Sequence, residues 1–527
     1  MRRIALAAAP VFALLAATLP ALPAQSAIGL DSAASALGAK FVSVSWNWNH
    51  DDSGYRVQVS KTKDFSSVLT TRKARRDSSR PPSGRQATVI GHLHDASYYW
   101  VRVRKVKGNH KSGWTRPVRV ATKAHYPDPI TSVADTMGPQ PGETTITWQA
   151  AGGYTDFYRI ETALTPFAAN KPGVPDHGRN ARVFTAPGDA RSLTLTAAQT
   201  ADAGAGLGSG QHLFFRITAV RKGEADSQSR SYGPLQYAAI AGAGAAPNSA
   251  PIRVASYNVH VASADVADHP WAARAPLVAA NIAAQHPAIV ALQELVPAMW
   301  TNKDGGPGLD AALTAVGLGG YTLTRDTSWD ANNPEDARIL YDPSQVQMLS
   351  RCDAMKPSCA ITVPDGGDVL VAPYALFQDR ASGEQFWFVS AHLSHGNTAD
   401  LDTLRGQQAQ AIVDGMAAVN TQHLPVILGG DLNSSQTSIG QDAPHQAFTQ
   451  DGWFDTASAA SQVHLEYNTM NGYASPEVPS NYGFGARLDA ILTLGMPGAT
   501  RFEEVITGGP YPSDHNMVVA DLGLPTS

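Results

Sequence analysis

Two successive stretches of the chain repeat one order of short strands, and this repeat limits the possible folds more than any other feature. In residues 28–125, apolar and polar side chains alternate in Val42–Trp46, Tyr55–Val59 and Tyr99–Val103. In residues 126–240, matching runs follow in the same order, at Thr145–Trp148, Phe157–Glu161 and Phe214–Ile217. Alternation with period two indicates strands with one buried face. A repeat of about one hundred residues with strands at this spacing favours two β-sandwiches.

Each repeat resembles a fibronectin type III domain. The resemblance rests on an early-strand tryptophan in both copies (Trp46, Trp148) and on Gly113–Val120, which is similar to the last strand of that family. The second copy departs from the pattern, because Leu213 stands where the family usually has a corner tyrosine. The resemblance implies two all-β, immunoglobulin-like domains, at residues 28–125 and 126–240.

The pattern changes after residue 240. Residues 241–250 are rich in Ala, Gly, Pro and Ser, a composition typical of a linker. Strand-like runs such as Ile289–Gln293 and Pro425–Leu428 then alternate with helical runs at Ala275–Gln285 and Leu401–Val419. This alternation predicts an α/β domain over residues 251–525.

The first residues predict export from the cytoplasm. Arg2 and Arg3 precede an apolar run, Ile4–Leu19, and small residues follow at cleavage spacing around Ala24-Gln-Ser. This order indicates a signal peptide over residues 1–26; an N-terminal membrane anchor is the alternative. No later stretch is apolar enough to span a bilayer, so we expect a secreted, extracellular protein. We also expect it to be a monomer.

The chain has 2 cysteines, Cys352 and Cys359, separated by a mostly polar segment. After export such a pair favours a small disulfide loop over a metal site, and two free thiols are the alternative. Closing so short a loop orders that loop rather than the whole fold.

Charge is distributed unevenly along the chain. Residues 28–125 contain 18 Lys and Arg against 6 Asp and Glu, whereas residues 250–527 contain 11 against 29. The first segment therefore predicts contact with a polyanion or a cell surface, and a solvated basic face is the alternative. The acidic third segment is unfavourable for binding a polyanion, and bound divalent metal would offset only part of its charge.

Polar side chains in the third segment stand at the ends of apolar strand runs. They are Asn258, Glu294, His392, Asp431, Asn433, Asp489, Asp514 and His515. Each alone is compatible with a turn or a helix cap. Eight such positions at successive strand ends instead indicate one cleft. Carboxylates and an amide suit a hard cation such as Mg²⁺, with Mn²⁺ or Ca²⁺ as alternatives, and this set with two histidines fits phosphoester hydrolysis.

The motifs around these residues resemble the endonuclease/exonuclease/phosphatase superfamily, which includes deoxyribonuclease I-like enzymes. They occur in the family order: Ser256-Tyr-Asn258, Leu292-Gln-Glu294, Ser390-Ala-His-Leu393, Gly430-Asp-Leu-Asn433, Arg487-Leu-Asp489 and Ser513-Asp-His515. The resemblance covers residues 251–525. It implies a metal-dependent phosphoric ester hydrolase with an α/β/β/α four-layer sandwich.

The resemblance also implies a role for each position. Glu294 would be the principal metal ligand with Asn258 beside it, and Asp514 would serve a second metal position. His515, oriented by Asp489, would activate the attacking water. Asp431 would position water or metal.

Three further assignments follow from the same resemblance. Asn433 would donate a hydrogen bond to a phosphate oxygen. His392 would steady the phosphate or protonate the leaving oxygen, and Glu335 would orient His392. The loop closed by Cys352 and Cys359 is similar to a small disulfide loop in secreted deoxyribonucleases.

The motifs belong to enzymes with different substrates, and three interpretations follow. We favour a secreted, divalent-metal-dependent phosphodiesterase that acts on nucleic acid, DNA ahead of RNA. The second is hydrolysis of phospholipid, as in sphingomyelinases, or of small phosphate esters. The third is a surface-binding protein whose sandwiches act as spacers or hold a cell wall or matrix.

Overall fold

The computed structural model describes residues 32–38, 40–47, 54–74, 85–123, 127–128, 130–153, 155–167, 178–221, 235–264, 268–301, 308–327, 337–350, 359–365, 370–437, 442–474, 485–496 and 498–526. The predicted signal peptide, residues 1–26, lies outside them. No helix among the described residues is long and apolar enough to cross a membrane. The chain divides into two compact units, Met1–His125 (unit 1) and Tyr126–Ser527 (unit 2).

The described part of unit 1 consists of strands. They are β1 (Ser32–Gly38), β2 (Phe41–Asn47), β3 (Gly54–Ser60), β4 (Val68–Ala74), β5 (Arg85–Ile90), β6 (Tyr98–Lys107), β7 (His110–Lys111) and β8 (Val118–Ala121). One sheet has the order β1-β2-β5; the larger has the order β4-β3-β6-β7, with β8 also pairing with β6. Alternate side chains of both sheets fill one apolar core.

The core of unit 1 explains why the alternating runs form strands. Trp46 packs on Tyr55 with ring centroids 5.1 Å apart, which joins the smaller sheet to the larger one. Tyr99 is fully buried, and its hydroxyl accepts a hydrogen bond from the backbone N–H of His94 at 2.8 Å. The period-two pattern of the sequence therefore corresponds to one buried and one solvent-facing side of each strand.

The first part of unit 2, residues 126–240, also contains two sheets. Its elements are β9 (Val133–Met137), β10 (Thr144–Trp148), β11 (Phe157–Ala163), β12 (Arg182–Pro187), β13 (Ser192–Leu195), α1 (Ala197–Asp202), β14 (Leu213–Val220) and β15 (Gln236–Ala238). The sheets have the orders β13-β10-β9 and β12-β11-β14-β15. Trp148 packs on Tyr158 between them, as Trp46 packs on Tyr55 in unit 1.

The rest of unit 2 combines two larger sheets with five helices among the described residues. The helices are α2 (Trp271–Gln285), α3 (Pro297–Thr301), α4 (Leu309–Ala315), α5 (Ala399–Val419) and α6 (Ala443–Gln450). The strands of the first sheet are β16 (Ala250–Asn258), β17 (Ile289–Gln293), β18 (Thr322–Leu323), β19 (Arg338–Tyr341), β26 (Ser461–Val463), β28 (Ala499–Val505) and β29 (Met517–Leu524). Those of the second are β20 (Val346–Met348), β21 (Ala360–Val363), β22 (Leu370–Asp379), β23 (Gln385–His392), β24 (Val426–Asp431), β25 (Phe454–Asp455) and β27 (Asp489–Leu494).

Three apolar clusters hold these elements together. One contains side chains from both large sheets, for example Ile289 and Ile427. A second joins the first sheet to α2, α3 and α4, and a third joins the second sheet to α5 and α6. The described part of the chain is rich in β-structure, with few helices.

Glycine at position 429 permits a close approach of the two large sheets near their polar ends. A Cβ at Gly429 would lie 2.7 Å from the Cβ of Ala291 and 3.3 Å from that of Ser256, which belong to the facing sheet. Any larger side chain would push the sheets apart. This contact lies two residues before Asp431, so it brings the ends of β16, β17 and β24 together.

The segment 241–250 differs from the separating linker that its composition suggests. Ala241 exchanges backbone hydrogen bonds with Gly142 and Glu143, and the carbonyl of Ala243 accepts from the N–H of Ala499. A Cβ at Gly242 would lie 1.7 Å from the carbonyl oxygen of Ser458. Small residues are needed here because two parts of one compact unit pack closely, and composition cannot distinguish that need from flexibility.

Polar contacts also join residues 126–240 to the rest of unit 2. Gln436 is buried; its amide nitrogen donates to the carbonyls of Leu164 and His212, at 3.0 Å each, and its oxygen accepts from the Tyr237 hydroxyl. His212 is fully buried and stacks on Tyr237. Phe214 and Tyr237 belong to the same apolar cluster as the two large sheets.

The buried histidine at this contact predicts loss of stability in acid. Burial, with a smaller contribution from Arg487, lowers the pKa of His212 to about 3. The unfolded chain binds this proton near pH 6.5 and the folded chain does not, so the free energy of unfolding falls as pH decreases from about 6.5 toward 3. The expected slope is about 1.4 kcal/mol per pH unit for this group. Buried His445, whose pKa burial also lowers, adds to it.

Calorimetric unfolding of unit 2 between pH 7 and pH 4 measures this slope. His212→Phe keeps a ring against Tyr237 and should make the pH dependence shallower. The exposed His423 provides the matched control, as His423→Asn should leave the slope unchanged. Equal slopes in wild type and His212→Phe would contradict the assignment.

Candidate active site

Strand pairing brings the predicted residues to one end of the two large sheets. Asn258 is the last residue of β16, and Glu294 follows the end of the parallel neighbour β17. In the other sheet, Asp431 at the end of β24 lies opposite His392 at the end of β23 and opposite Asp489 at the start of β27. The direction and register of the strands therefore place side chains together that are far apart in sequence.

The amide of Asn258 connects two carboxylates. Its Nδ2 donates to Glu294 Oε1 at 2.8 Å and to Asp431 Oδ2 at 3.0 Å, which links the two sheets. Its Oδ1 accepts from the backbone N–H of His260, so the orientation of the amide is determined. Glu294 Oε2 accepts a further hydrogen bond from the N–H of Val261.

His515 and Asp489 form a buried pair. Nδ1 of His515 donates to Asp489 Oδ2 at 2.8 Å, and both residues are buried. This hydrogen bond leaves Nε2 directed toward the carboxylates, 3.8 Å from Asp431 Oδ2. Asp489 Oδ1 is buried and has no hydrogen-bond partner among the described residues.

His392 lies close to the same carboxylate as His515, that of Asp431. Its Nε2 is 3.8 Å from Asp431 Oδ2, the atom that also lies 3.8 Å from Nε2 of His515. Glu335, predicted to orient His392, lies outside the described residues, so that role stays a prediction. Cys359 is buried, whereas Cys352 also lies outside them, and their pairing stays a prediction.

Asn433 and Asp514 lie at the edge of this group. The backbone N–H of Asn433 donates to Asp431 Oδ1 at 2.8 Å, and its Nδ2 donates to the carbonyl of Leu393 at 2.9 Å. One amide hydrogen of Asn433 is therefore used within the fold, and its second one would serve an external acceptor. Asp514 lies beside His260, with Oδ2 4.0 Å from Nε2.

Burial and mutual charge shift the pKa values of these groups strongly. Burial disfavours protonated His515, but the Asp489 and Asp431 carboxylates outweigh it and raise the pKa of His515 to about 10. Burial raises the pKa of Asp489. Burial opposes ionisation of Asp431, yet His515 and His392 lower its pKa. The cluster holds more carboxylates than cations, so added positive charge would stabilise it.

Several site residues have left-handed backbone conformations that side chains other than glycine rarely adopt. The φ angle is 63° at Glu294, 48° at Asn433, 56° at His260 and 57° at Tyr473. Such conformations cost on the order of 1–3 kcal/mol each and cluster at functional sites. Four of the 12 described non-glycine residues with positive φ therefore lie in this group.

Residues that the sequence did not reveal complete the site. Arg274 on α2 is buried, and its guanidinium donates to the carbonyls of Val259, His260, His269 and Pro512, which holds the loops beside Asn258 and His515. Tyr473 lies on the same side, stacked on His269 at 4.0 Å. Arginine in an apolar helix gives no motif, and a tyrosine in a loop gives no periodic signal.

The donor set suits a divalent cation. Oxygen and nitrogen atoms of Asp431, Asp489 and His515 lie within 4.8 Å of one another, and all three residues are buried. Asn258 holds the carboxylate of Glu294 against the same group. Clustered carboxylate oxygens with an unpartnered buried atom fit a hard cation better than a soft one.

Comparison with known proteins gave matches among solved structures alone. No family model and no curated protein matches the sequence. An endonuclease/exonuclease/phosphatase protein from Bacteroides vulgatus is 20% identical and covers 52% of this chain and 100% of its own, with a TM-score of 0.41. A mannosyl-6-phosphatase from Bacteroides thetaiotaomicron is 20% identical and covers 51% of this chain and 98% of its own, with a TM-score of 0.40. D. rerio TDP2, solved with a single-strand DNA product, is 17% identical and covers 52% of this chain and 98% of its own, with a TM-score of 0.36.

Proposed function

We propose that the chain is a divalent-metal-dependent phosphodiesterase whose active site is the group around Asp431. One observation carries this proposal: His515 and His392 both direct Nε2 at one carboxylate oxygen, which the amide of Asn258 ties to Glu294. Two imidazoles beside clustered carboxylates supply an acid, a base and a cation site at a single point.

The cation is proposed to be Mg²⁺, with Mn²⁺ or Ca²⁺ as alternatives, held by Glu294 and Asp431 with Asn258 beside them. Asp514 would serve a second position. When bound, the cation supplies positive charge that offsets the carboxylates and polarises a phosphate oxygen. The carboxylates of Glu294 and Asp431 fit this role because the amide of Asn258 holds both of them in one group.

The protein groups divide the proton transfers between them. His515 would accept a proton from the attacking water at Nε2, because Nδ1 is already donating to Asp489. This requires a cation beside Asp431, since the carboxylates alone raise the pKa of His515 and favour its protonated form. Asp489 keeps the ring in that orientation and stabilises the imidazolium that forms. His392 steadies the phosphate or donates a proton to the leaving oxygen. Asn433 presents the amide hydrogen not used by Leu393 to a phosphate oxygen.

We also propose which fold each part of the chain adopts. We assign residues 28–125 and 126–240 to fibronectin type III-like domains, with a core tryptophan packed on a tyrosine in each. Residues 251–525 would be the four-layer α/β/β/α domain, because helices pack on the outer side of both large sheets. The signal-peptide pattern of residues 1–26 supports secretion of the mature chain.

Nucleic acid is the substrate class that we favour, DNA ahead of RNA. The large apolar side chains exposed among the described residues of unit 2 are Met137, Val183, Val316 and Met470. They come from separate elements and form no wedge of the kind that enters a lipid surface. The basic composition of residues 28–125 supplies attraction for a polyanion that the acidic catalytic segment lacks.

Glu294→Gln tests the cation site directly. The substitution keeps the shape of the side chain and removes its charge, so the Mg²⁺ concentration for half-maximal plasmid nicking should rise at least tenfold. Exposed Asp414 gives the matched control, Asp414→Asn, which should leave it unchanged. Wild-type activity in the presence of a chelator would overturn the proposal, and release of phosphocholine from vesicles without nicking would assign a lipid substrate.

A further inference from the structure

One row of side chains on the larger sheet of unit 1 is entirely cationic. The buried residues of β3 and β6 face the core, so the alternate residues point away from it. Arg56 on β3 lies directly opposite Lys73 on β4 and directly opposite Arg104 on β6. Like charges in register across strands destabilise a sheet. A row of three such charges is stabilised when an anion lies on it.

Aromatic rings alternate with the cations beside this row. The guanidinium carbon of Arg102 lies 3.9 Å from the ring centroid of Phe65 and 4.6 Å from that of Trp114. Arg104 stacks on Trp114 at 4.3 Å. Stacking covers the flat face of a guanidinium and holds it in place, while its N–H edge stays available to acceptors such as phosphate oxygens.

The same surface continues onto β8. Arg119 lies opposite Trp100 in the sheet and 3.9 Å from the ring centroid of Tyr98. Tyr98 is 61% exposed, and Trp100 and Trp114 are half-buried. The basic face is defined by these cations and rings together: Arg56, Lys73, Arg102, Arg104, Arg119, Tyr98, Trp100 and Trp114.

The described residues of unit 1 offer little to neutralise the basic face. They include 15 Lys and Arg but only two acidic residues, Asp64 and Asp95. Burial, with a smaller contribution from the charge of Arg104, lowers the pKa of Arg102. The excess of positive charge among these described residues favours an external polyanion as the partner of the face.

We propose that the basic face binds single-stranded nucleic acid, with phosphates on the cationic row and unpaired bases on the exposed rings. This inference extends the proposed nuclease function and rests on it for the identity of the polyanion. Single strands suit the face because the rings between the cations provide stacking platforms for unpaired bases, which a duplex keeps stacked inside the helix.

The charge contribution is tested with a labelled oligothymidine and the full-length protein in chelator, which prevents cleavage. Arg56→Gln/Arg104→Gln should reduce the slope of log K against log salt concentration by about 1.4, because each lost phosphate contact on a single strand removes about 0.7. Lys40→Gln/Arg85→Gln removes the same charge from the side of the smaller sheet and should leave the slope unchanged. Equal slopes for the two double variants would overturn the proposal.

The ring contribution is tested in the same assay with Tyr98→Ser. Loss of one stacking platform should weaken binding about fivefold or more. Unchanged binding by Tyr98→Ser, together with complete competition by heparin, would show a charge-only polyanion site and overturn the assignment to nucleic acid. Hydrolysis of bis(p-nitrophenyl) phosphate, which carries one phosphate and no base, reports on the active site alone. If the protein bound the oligothymidine but did not hydrolyse bis(p-nitrophenyl) phosphate, the catalytic proposal would be refuted and the proposed binding site would remain supported.

Discussion

Replacement of His515 by alanine is expected to lower kcat for phosphodiester hydrolysis by about 10²–10⁴-fold, with little change in KM. The reason is geometric: His515 is hydrogen-bonded to Asp489 through Nδ1, so Nε2 is the atom available to accept a proton from water. A positioned general base contributes a factor of this size to the rate. Steady-state kinetics on plasmid DNA at saturating Mg²⁺ measure both constants.

Two further variants separate the base from a merely structural histidine. Asp489→Asn should cause a loss of similar order, because an amide can donate to Nδ1 and so favour the wrong tautomer. Exposed His423→Asn should retain full activity. Retention of more than about a hundredth of wild-type turnover by His515→Ala, with the fold intact by circular dichroism, would contradict the role of His515.

The site can be predicted from the sequence to the extent that strands determine it. A strand run with a clear apolar pattern ends at a definite residue, so the pattern alone places Asn258, Asp431 and Asp489 at sheet ends. The register adds what the sequence lacks: Asp431 lies opposite both His392 and Asp489 because β24 pairs with the strands of both. Contacts made by loops, such as that of Tyr473 with His260, have no periodicity and give no signal in the sequence.

The division of the chain is harder to predict, because composition does not report on packing. Residues 241–250 have the small side chains of a linker, yet their backbone is bonded to both parts of unit 2. The polar residues of the contact give no signal either. Gln436 is three residues beyond Asn433, and Arg487 is the first residue of the motif Arg487-Leu-Asp489, so their positions in the sequence indicate the candidate site and not this contact. Arg487 in fact pairs with buried Asp455 at 3.3 Å.

Removal of residues 126–249 is therefore expected to prevent the remaining domain from folding. A chain beginning at residue 250 would expose the part of the shared apolar cluster that Phe214 and Tyr237 cover. It would also lose the hydrogen bond from Ser458 Oγ to the Gly210 carbonyl and that from Gln211 to Thr449. We expect residues 250–527 to be insoluble or to lack a cooperative transition, whereas residues 126–527 should be soluble and unfold cooperatively.

A single substitution tests the same contact in a variant that should still fold, so that its stability can be measured. Gln436→Leu removes two donors from the buried carbonyls of Leu164 and His212, and each unsatisfied carbonyl costs about 1–3 kcal/mol. The control Gln407→Leu, at an exposed position of α5, should change stability little. Because Gln436 also anchors the chain that follows Asn433, the variant should lose activity below its unfolding temperature as well. A soluble, cooperatively folded and fully active 250–527 fragment would show instead that residues 126–249 are a dispensable neighbour.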